Sequence, residues 1–424
     1  MPGCRCSSAP ETLPGNEEPW SSGSAAVDPA TSLLLTDLYE LNMYAAYLDA
    51  GMTGTAVFEF FIRKLPAGRN FLLAAGLEQV LRFLERARFT APELAWLEST
   101  GRFGPAMLAR LERFRFEGEV YALPEGTPVF ADEPLLGIEA PLPEAQLLES
   151  RLINLLHFQT LIASKAARLV LAAPGKVLLD FGLRRAHGAE AGLLAARAAY
   201  LAGFTGTATT LAGTLLGVPV FGTMAHSFIQ AHEDETMAFE RFARARPSQV
   251  TLLLDTYDTE AAARKVVGLA PKLARDGIAV HGVRLDSGDL GRHARAVRRI
   301  LDQGGLHEVK IFASGSLDEE RIRLLEATAP IDGYGVGTQL TTSADVPALD
   351  CAYKLQAYAG VPKRKRSEGK ATWPGRKQVF RRRDDAGRMT GDVITLEGDA
   401  LPGEPLLQRV MVAGRRLRPA PSLE

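Results

Sequence analysis

The residues best suited to chemistry lie in small polar clusters, each directly after a short apolar run in the middle of the sequence. His226 lies in GTMAHSF (222–228), after the run VPVF, in a chain that has only 7 histidines. A neutral imidazole is a good nucleophile near neutral pH, so His226 is a candidate catalyst. A histidine at this position could equally serve only to cap the following helix. From this segment alone both interpretations stay open.

Further clusters repeat this arrangement along the chain, and helical segments separate them. Buried parallel strands read as continuous apolar runs, and a long succession of strand–helix units predicts an α/β barrel. Active sites of such barrels lie at the carboxyl ends of the strands, so the clusters should surround one site. Their members are Arg184, Arg185 and His187; Thr223 with His226; Asp255; Arg284, Asp286 and Ser287; Ser314, Gly315 and Ser316; and Gly335, Gly337 and Thr338.

The residue types in these clusters favour an anionic ligand. The forked side chains of Arg184, Arg185 and Arg284 match a carboxylate or a phosphate. The segment ASGSLDE (313–319) places hydroxyls at a predicted helix N-terminus, where free amides favour an anion, and the glycines of GYGVGT (333–338) allow close backbone approach. The alternative, that these glycines only serve turns, stays open. Asp289 is either a metal ligand or a helix N-cap.

The elements that must position these clusters divide the chain into four parts. The sequence predicts a disordered leader over residues 1–30 and an α+β domain over residues 31–149. It predicts the barrel over residues 150–345 and a β-rich tail over residues 346–424. Helices are predicted over 71–87 and 228–244, and a strand over 218–223. The basic segments KRKRSEGK and FRRRDDAGR of the tail are interpreted as solvated surface around hairpin turns.

The composition excludes several classes of protein. The net charge is −1 and the hydrophobic fraction is 46%, which favours a globular enzyme over a nucleic-acid-binding protein. No apolar run approaches the ~20 residues that cross a bilayer. Only 3 cysteines occur, at 4, 6 and 351, which predicts no disulfide framework and a reducing, cytoplasmic location.

Taken together, these segments resemble nicotinate phosphoribosyltransferases. The resemblance is carried by TDLYELNM (36–43), FEFFIRKLP (58–66), FQTLIASKAAR (158–168), DFGLRRAHG (180–188), GTMAHSF (222–228), LLDTYDT (253–259), GVRLDSGDL (282–290) and GYGVGTQLTTS (333–343). It implies an irregular α/β barrel of the type II phosphoribosyltransferase kind, joined to an α/β sandwich domain that the N-terminal region and the tail form together. It also implies a homodimer with shared active sites.

The implied reaction transfers the phosphoribosyl group of 5-phosphoribosyl 1-pyrophosphate to nicotinate, for NAD biosynthesis. Pyrophosphate is released, and ATP is a co-substrate consumed through a phosphohistidine, which makes the enzyme formally a ligase. By this resemblance His226 is the phosphorylated residue, and Asp255 and Asp286 face the ribose or a Mg²⁺ ion, the implied cofactor.

The resemblance also assigns the binding residues. Tyr39, which would reach the neighbouring subunit's site, and Phe181 would flank the pyridine ring, and Thr223 and Arg284 would contact nicotinate. Phosphates of the donor would be held by Arg184, Arg185, Ser314, Gly315, Ser316, Gly335, Gly337 and Thr338.

The sequence departs from the family pattern at three places, which are the run TGTAT (205–209), His232, and Asp350 with Cys351. The first leaves open which loop residues touch the donor's phosphates. Three alternative functions remain, namely a quinolinate-type phosphoribosyltransferase, a phosphate-binding lyase or aldolase, and a non-catalytic nucleotide-binding barrel. The strand ends lack the lysine that a Schiff-base aldolase needs, and they carry His226, Arg284, Asp286 and Thr338, which favour catalysis.

Overall fold

The computed structural model describes residue 28 and residues 31–423. The leader predicted at 1–30, with Cys4 and Cys6, therefore lies outside the described residues apart from residue 28. None of the helices in the described part combines the length and apolar character that a membrane crossing requires.

The first part of the chain combines short helices with antiparallel strands. The elements are α1 (Leu38–Asp49), β1 (Thr55–Ile62), β2 (Leu72–Leu73), α2 (Leu77–Arg86), α3 (Ala91–Ser99), α4 (Pro105–Glu112), β3 (Glu119–Ala122), β4 (Pro128–Val129), β5 (Pro134–Pro141) and α5 (Leu142–Leu147).

The helix predicted over 71–87 is wrong in its first turns. Leu72 and Leu73 pair with β4, and α2 begins only at Leu77. The reason is tertiary. Gly76 has a left-handed backbone (φ 106°), and a Cβ there would lie 2.7 Å from the Leu155 carbonyl oxygen. The Glu125 carboxylate accepts hydrogen bonds from the amides of Gly76 (2.5 Å) and Leu77 (3.1 Å), and so satisfies the start of the helix.

A long helix, α6 (Glu149–Ala172), connects the two halves of the protein. Its first half contributes Leu152, Leu155 and Leu156 to the core of the N-terminal sheet. Its second half contributes Ile162, Ala166 and Leu169 to the core of the barrel. The two hydrophobic cores therefore share one rigid element.

The middle of the chain alternates strands and helices as the sequence predicts. Its elements are β6 (Val177–Asp180), a 3₁₀ turn (Leu183–Arg185), α7 (Ala189–Leu201), β7 (Gly206–Thr207), α8 (Thr210–Leu216), α9 (His226–Gln230), α10 (Glu235–Ala245), β8 (Val250–Leu253), α11 (Thr259–Arg275), β9 (Val280–Leu285), α12 (Leu290–Gln303), β10 (Lys310–Ser314), α13 (Glu319–Thr328), β11 (Gly333–Val336) and α14 (Thr338–Thr341). The strands form one curled, parallel sheet in the order β7-β6-β11-β10-β9-β8.

The segment predicted as a strand over 218–223 joins the two edges of this sheet without forming a regular strand. Val220 makes an isolated parallel bridge with Thr207 of β7. On the other side, the Thr223 hydroxyl donates to the backbone oxygen of Thr251 in β8 (2.6 Å). The ring is thus completed by a backbone bridge on one side and a side-chain hydrogen bond on the other, as in an irregular barrel.

The helix predicted over 228–244 is interrupted. It consists of α9 and α10, because the Asp234 carboxylate accepts the Met237 amide (2.9 Å) and so starts a new helix at Glu235.

The last part of the chain returns to the N-terminal sheet. Its strands are β12 (Cys351–Tyr358), β13 (Val361–Pro362), β14 (Lys377–Arg383), β15 (Met389–Leu396), β16 (Glu404–Pro405), β17 (Gln408–Val412) and β18 (Arg415–Arg416). One seven-stranded sheet has the order β13-β12-β1-β5-β3-β17-β18, and β15-β14-β16 form a second sheet. The rings of Phe58 on β1 and Tyr353 on β12 stack with centroids 4.9 Å apart. The N-terminal region and the tail therefore share one sheet.

Candidate active site

Members of four strand-end clusters line one cavity of about 300 Å³ inside the barrel. Phe181, Thr223, Arg284, Ser314 and Gly335 all line its mouth at the carboxyl ends of the strands. A neighbouring cavity of about 310 Å³ shares Phe181, Thr223 and Arg284 and adds Arg184. Residues more than 150 positions apart thus form one site, as the strand–helix pattern predicts.

Arg284, at the end of β9, is held in a fixed orientation. Its Nε donates to Ser314 Oγ (2.8 Å) and its Nη2 donates to Asp286 Oδ1 (2.6 Å). The guanidinium carbon lies 5.2 Å from the centroid of the Phe181 ring. A cation fixed next to an aromatic face suits a flat ligand that carries a carboxylate.

The Asp286 carboxylate joins this arginine to the histidine. Its Oδ1 accepts from Arg284 and from the Ser314 hydroxyl, and its Oδ2 lies 4.0 Å from His226 Nε2. Burial alone would raise the pKa of Asp286. The hydrogen bond from Ser314 and the charge of Arg284 outweigh burial and hold that pKa below its ordinary value. Asp286 is therefore a carboxylate at neutral pH.

Asp255, after β8, holds the loop that follows β9. Its Oδ2 accepts the backbone amide of Asp286 (3.0 Å) and the Ser287 hydroxyl. Its Oδ1 is buried and has no hydrogen-bond partner among the described residues. An unpartnered buried oxygen is costly, so this atom is a candidate ligand for a bound group.

His226 is the first residue of α9, and the interpretation of its side chain as a helix cap is wrong. Its side chain makes no cap, since Ala225 is the N-cap residue. Instead, Nδ1 lies 3.1 Å from Thr256 Oγ1 and Nε2 faces Asp286. The side chain is 39% exposed, so the imidazole is oriented by its neighbours and still open to solvent.

The Phe181 ring and the Thr223 hydroxyl have positions that the sequence could not give. A Cβ at Gly335 would lie 2.2 Å from Phe181 Cε2, so the ring rests directly on β11 where that strand has no side chain. The Thr223 hydroxyl donates a hydrogen bond to the Thr251 backbone oxygen. Thr223 therefore lines the cavity and also closes the barrel wall.

Of the residues assigned to phosphate binding, Ser314 and Gly335 line the barrel cavity and Arg184 lines the neighbouring cavity. Arg184 and Arg185 lie in the exposed 3₁₀ turn and form no ion pair with any residue that the structure describes. Gly315 has a left-handed backbone (φ 95°), and a Cβ there would lie 2.1 Å from the Asp286 carbonyl oxygen. Glycine is thus required where the loops after β9 and β10 touch.

The helix after β10 begins later than the sequence suggests. Ser314 ends β10, and Ser316 is exposed in the following turn with φ 50°. The helix α13 starts at Glu319, where the Asp318 carboxylate accepts the Arg321 amide (2.8 Å). After β11, Gly337 precedes Thr338, the first residue of the short α14.

Two other predicted residues lie away from the cavity. Tyr39, on α1, is 45% exposed and does not line the barrel cavity. Its burial, together with the charges of Glu149 and Glu40, raises the pKa of Tyr39. Asp289 is the N-cap of α12, with its Oδ1 accepting the Arg292 amide (3.0 Å), so the helix-cap interpretation is confirmed.

Sequence reasoning missed two residues that support the site, Thr256 and Asp180. Asp180, 1% exposed at the end of β6, accepts the Gly182 amide (2.8 Å) and the Thr207 hydroxyl (2.7 Å). Burial raises the pKa of Asp180. It links the Phe181 loop to the divergent segment 205–209. An aspartate at the end of an apolar run was the signal that could have identified it.

A curled parallel sheet with arginine, aspartate and histidine converging at its strand ends defines a barrel enzyme that acts on anionic ligands. Comparisons with known proteins specify the family. The N-terminal domain of nicotinate phosphoribosyltransferase (NAPRTase) matches residues 34–157, and the NAPRTase family matches residues 177–383. The chain belongs to the nicotinate phosphoribosyltransferase family.

The relatives agree over most of the chain. A nicotinate phosphoribosyltransferase of Mycobacterium tuberculosis is 50% identical over 94% of this chain and 86% of its own length. The nicotinate phosphoribosyltransferase of Bacillus subtilis is 40% identical over 86% of this chain and 76% of its own length. The crystal structure of human nicotinic acid phosphoribosyltransferase superposes with a TM-score of 0.81 at 32% identity, over 92% of this chain and 91% of that chain.

Proposed function

We propose that this chain forms nicotinate mononucleotide and pyrophosphate from nicotinate and 5-phosphoribosyl 1-pyrophosphate, in the salvage route to NAD. The observation that carries the proposal is the Arg284 guanidinium, fixed by Ser314 and Asp286 beside the Phe181 ring. A planar ring with one carboxylate fits such a pair. The family membership of the chain supports the same reaction.

The site would act mainly by positioning the reactants. The pyridine ring would lie against Phe181 with its carboxylate on Arg284, and its nitrogen would face the strand ends. Gly335, Gly337 and Thr338, together with Ser314, Gly315, Ser316, Arg184 and Arg185, would bind the donor's phosphates. Because positive charge develops on the sugar in this reaction, the carboxylates of Asp286 and Asp255 would stabilise it.

ATP would be coupled to the reaction through His226. In this proposal Nε2 attacks the γ-phosphorus of ATP, an N–P bond forms, the P–O bond to the β-phosphate breaks, and ADP leaves. Water later hydrolyses the phosphohistidine. The hydrogen-bond distance from Nδ1 to Thr256 supports this role, because that contact can orient the ring and leave Nε2 free to react.

A Mg²⁺ ion fits this site only together with substrate. No three histidine, cysteine or carboxylate side chains gather as a metal-binding group within the described residues. Mg²⁺ usually takes one or two carboxylates and completes its shell with water and phosphates. The unpartnered Asp255 Oδ1 and the Asp286 carboxylate would hold it, and the bound ion would neutralise charge on the departing pyrophosphate.

The proposal also includes a cytoplasmic homodimer in which Tyr39 reaches the partner's active site. Tyr39 is exposed and does not line the cavity of its own chain, which supports this role. A mixture of Tyr39→Ala and His226→Ala proteins should form more product with ATP than either variant does alone, since each mixed dimer has one intact site.

The activity is tested with purified protein, 5-phosphoribosyl 1-pyrophosphate, ATP and Mg²⁺. Nicotinate, nicotinamide and quinolinate are supplied in parallel, and the nucleotide product is separated by chromatography. We expect nicotinate mononucleotide from nicotinate alone. Product from quinolinate with release of CO₂ would assign the chain to the other reaction, and no product at saturating substrates would exclude an enzyme of this class.

His226→Ala tests the coupling to ATP. We expect this variant to lose acid-labile phosphorylation from γ-labelled ATP and to lose ATP hydrolysis, while part of the donor-dependent product formation remains. His232→Ala is the matched control, because His232 is close in sequence and contacts Phe228, through the carbonyl oxygen (2.7 Å from Nδ1) and the ring (centroids 4.8 Å apart). Label that persists in His226→Ala would assign the phosphorylation to another residue.

A further inference from the structure

Glu40, in the first turn of α1, is a buried carboxyl group that lies against the start of α6. Its side chain is 0% exposed. Its Oε1 accepts the Ser150 amide (3.0 Å), one of the amides that α6 leaves unpaired, and its Oε2 contacts the Thr36 hydroxyl. Within the described part of the chain, no lysine or arginine contacts this carboxyl group. A buried carboxylate without a cation is costly, so these surroundings favour the protonated form.

The Ser150 hydroxyl lies between two carboxyl groups. Its Oγ is 2.7 Å from Asp37 Oδ2 and 2.8 Å from Glu40 Oε1. A hydroxyl has one proton, so it can donate to only one of the two. If both carboxyl groups were ionised, the second contact would bring two oxygen lone pairs together. If Glu40 carries a proton on Oε1, it donates to Ser150, and Ser150 donates its own proton to Asp37. Both contacts are then hydrogen bonds.

The neighbouring groups place the shared proton on Glu40. Asp37 is exposed, so water stabilises its charge, whereas Glu40 is buried. The titratable groups that face Glu40 from its own helix and cap, from α6 and from β12 are Tyr39, Asp37, Glu149 and Tyr353. The nearby Lys354 is paired with Glu149 (3.0 Å), which compensates its charge. Burial, with a smaller contribution from the charge of Glu149, raises the pKa of Glu40 to about 7.

We propose that Glu40 is a positioning residue for Tyr39, and that it acts through the proton it shares with Ser150 and Asp37. Tyr39 directly precedes Glu40 in the first turn of α1, so these contacts fix that turn against α6. Loss of the proton leaves two carboxylates on one hydroxyl, and the turn that carries Tyr39 moves away from α6. The inference rests on the proposed function, in which Tyr39 reaches the partner's active site. Glu40 makes this contribution depend on pH.

Urea unfolding of the wild type and of Glu40→Gln, measured from pH 5 to pH 8, tests the buried proton. Glutamine keeps the size of the side chain and a donor for Ser150, but it cannot ionise. The folded state raises the pKa of Glu40, so its stabilising contribution is complete at low pH and is lost as pH rises through the folded-state value. The ratio of folded to unfolded wild type, relative to that of the variant, should therefore fall about tenfold or more over this range. Parallel pH profiles would overturn the proposal.

Asp37→Asn tests whether the proton is shared. The amide of the asparagine can donate to Ser150, which leaves the Ser150 proton for an ionised Glu40. Comparison of Asp37→Asn with Asp37→Asn/Glu40→Gln should therefore show the same fall in stability at lower pH. Asp49→Asn is the matched control, because Asp49 is exposed at the other end of α1, and it should keep the wild-type profile. A fall at the same pH in Asp37→Asn and the wild type would contradict the shared proton.

The link to Tyr39 is tested by a double-mutant cycle in the nicotinate assay at pH 8. Glu40→Gln should raise kcat/KM for nicotinate about threefold or more in the wild-type background, because the glutamine keeps the first turn of α1 in place. The same substitution should change nothing in Tyr39→Ala, where the side chain that it positions is missing. Equal effects in both backgrounds would overturn the link. A protein without activity would refute the proposed function, whereas the unfolding profiles would still test the proton on Glu40.

Discussion

At the scale of single residues, the site is a connected chain of polar contacts. Arg284 bonds Ser314 and Asp286, and Asp286 in turn faces His226. Each side chain is thus oriented by the next, so the reactive imidazole and the carboxylate-binding arginine depend on one aspartate. The ionisation of Asp286 can be followed without substrate, through the pH dependence of the free energy of unfolding.

Asp286→Asn tests that ionisation. Because the folded state holds the pKa of Asp286 below its ordinary value of about 3.9, the carboxylate stabilises the fold at pH values above this value. The contribution is lost as pH falls through the lower, folded-state pKa. We expect urea unfolding to show the wild type as the more stable protein at neutral pH, with the difference closing in strong acid. A difference independent of pH would contradict this assignment.

Residue types after apolar runs were enough to bring His226, Asp255, Arg284 and Asp286 to one site. They were not enough to find Thr256, whose hydroxyl contacts His226, because that contact depends on how two loops meet in space. The same limit applies to Thr223. Its position in the cluster could be predicted, but its hydrogen bond to β8 could not.

At the scale of elements, glycines on the barrel strands decide where the aromatic rings lie. Phe181 rests on Gly335 of β11, and Phe312 lies between Gly282 of β9 and Gly333 of β11. The strands therefore position the rings through glycines, which leave space for a ring against the backbone. This predicts that a single methyl group on β11 changes the site.

Gly335→Ala places a Cβ 2.2 Å from the Phe181 ring, so the ring must move into the cavity. We expect KM for nicotinate to rise about tenfold or more, with a smaller change for the donor. The matched control is Gly268→Ala on α11, where a Cβ meets nothing within 4 Å. That variant should keep its kinetics and gain about 0.5–1 kcal/mol in the free energy of unfolding. Unchanged nicotinate kinetics in Gly335→Ala would show that the ring position is unimportant.

Periodicity predicted most elements, and the differences have local physical causes. The predicted helix over 71–87 loses its first turns to strand pairing and to the Glu125 carboxylate, which comes from a distant part of the chain. The interruption after α9 results from Asp234, a capping residue whose competition with helix continuation was visible in the sequence.

At the scale of the whole molecule, a buried ionic cluster fastens the barrel to the rest of the protein. Lys165 on α6, 1% exposed, lies 2.5 Å from Glu319 and 2.9 Å from Asp345. Arg69, from the N-terminal half, bonds Ser343 (2.6 Å) and pairs with Asp345 (3.2 Å). The cluster therefore holds α13 and the segment after α14 against α6.

Lys165→Met should destabilise the fold, because it leaves the buried Glu319 carboxylate and the half-buried Asp345 carboxylate with less compensating charge. We expect a loss of about 3 kcal/mol in the free energy of unfolding, measured in urea. Lys310→Met is the control, since its exposed pair with Asp332 should contribute little. Equal effects of the two substitutions would show that the cluster is not a structural tie.

The way in which the barrel closes determines where its wall separates most easily. The edge of β8 is joined to the segment 219–223 through the Thr223 hydroxyl, whereas β8, β9, β10, β11 and β6 are joined by backbone ladders. Separating that contact costs about one hydrogen bond, roughly 0.5–1.5 kcal/mol, far less than parting two paired strands. His226 follows directly on this segment. Transient separation of the wall at this contact would therefore move the histidine outward. Amide exchange in 222–225 should be faster than that of the paired strands.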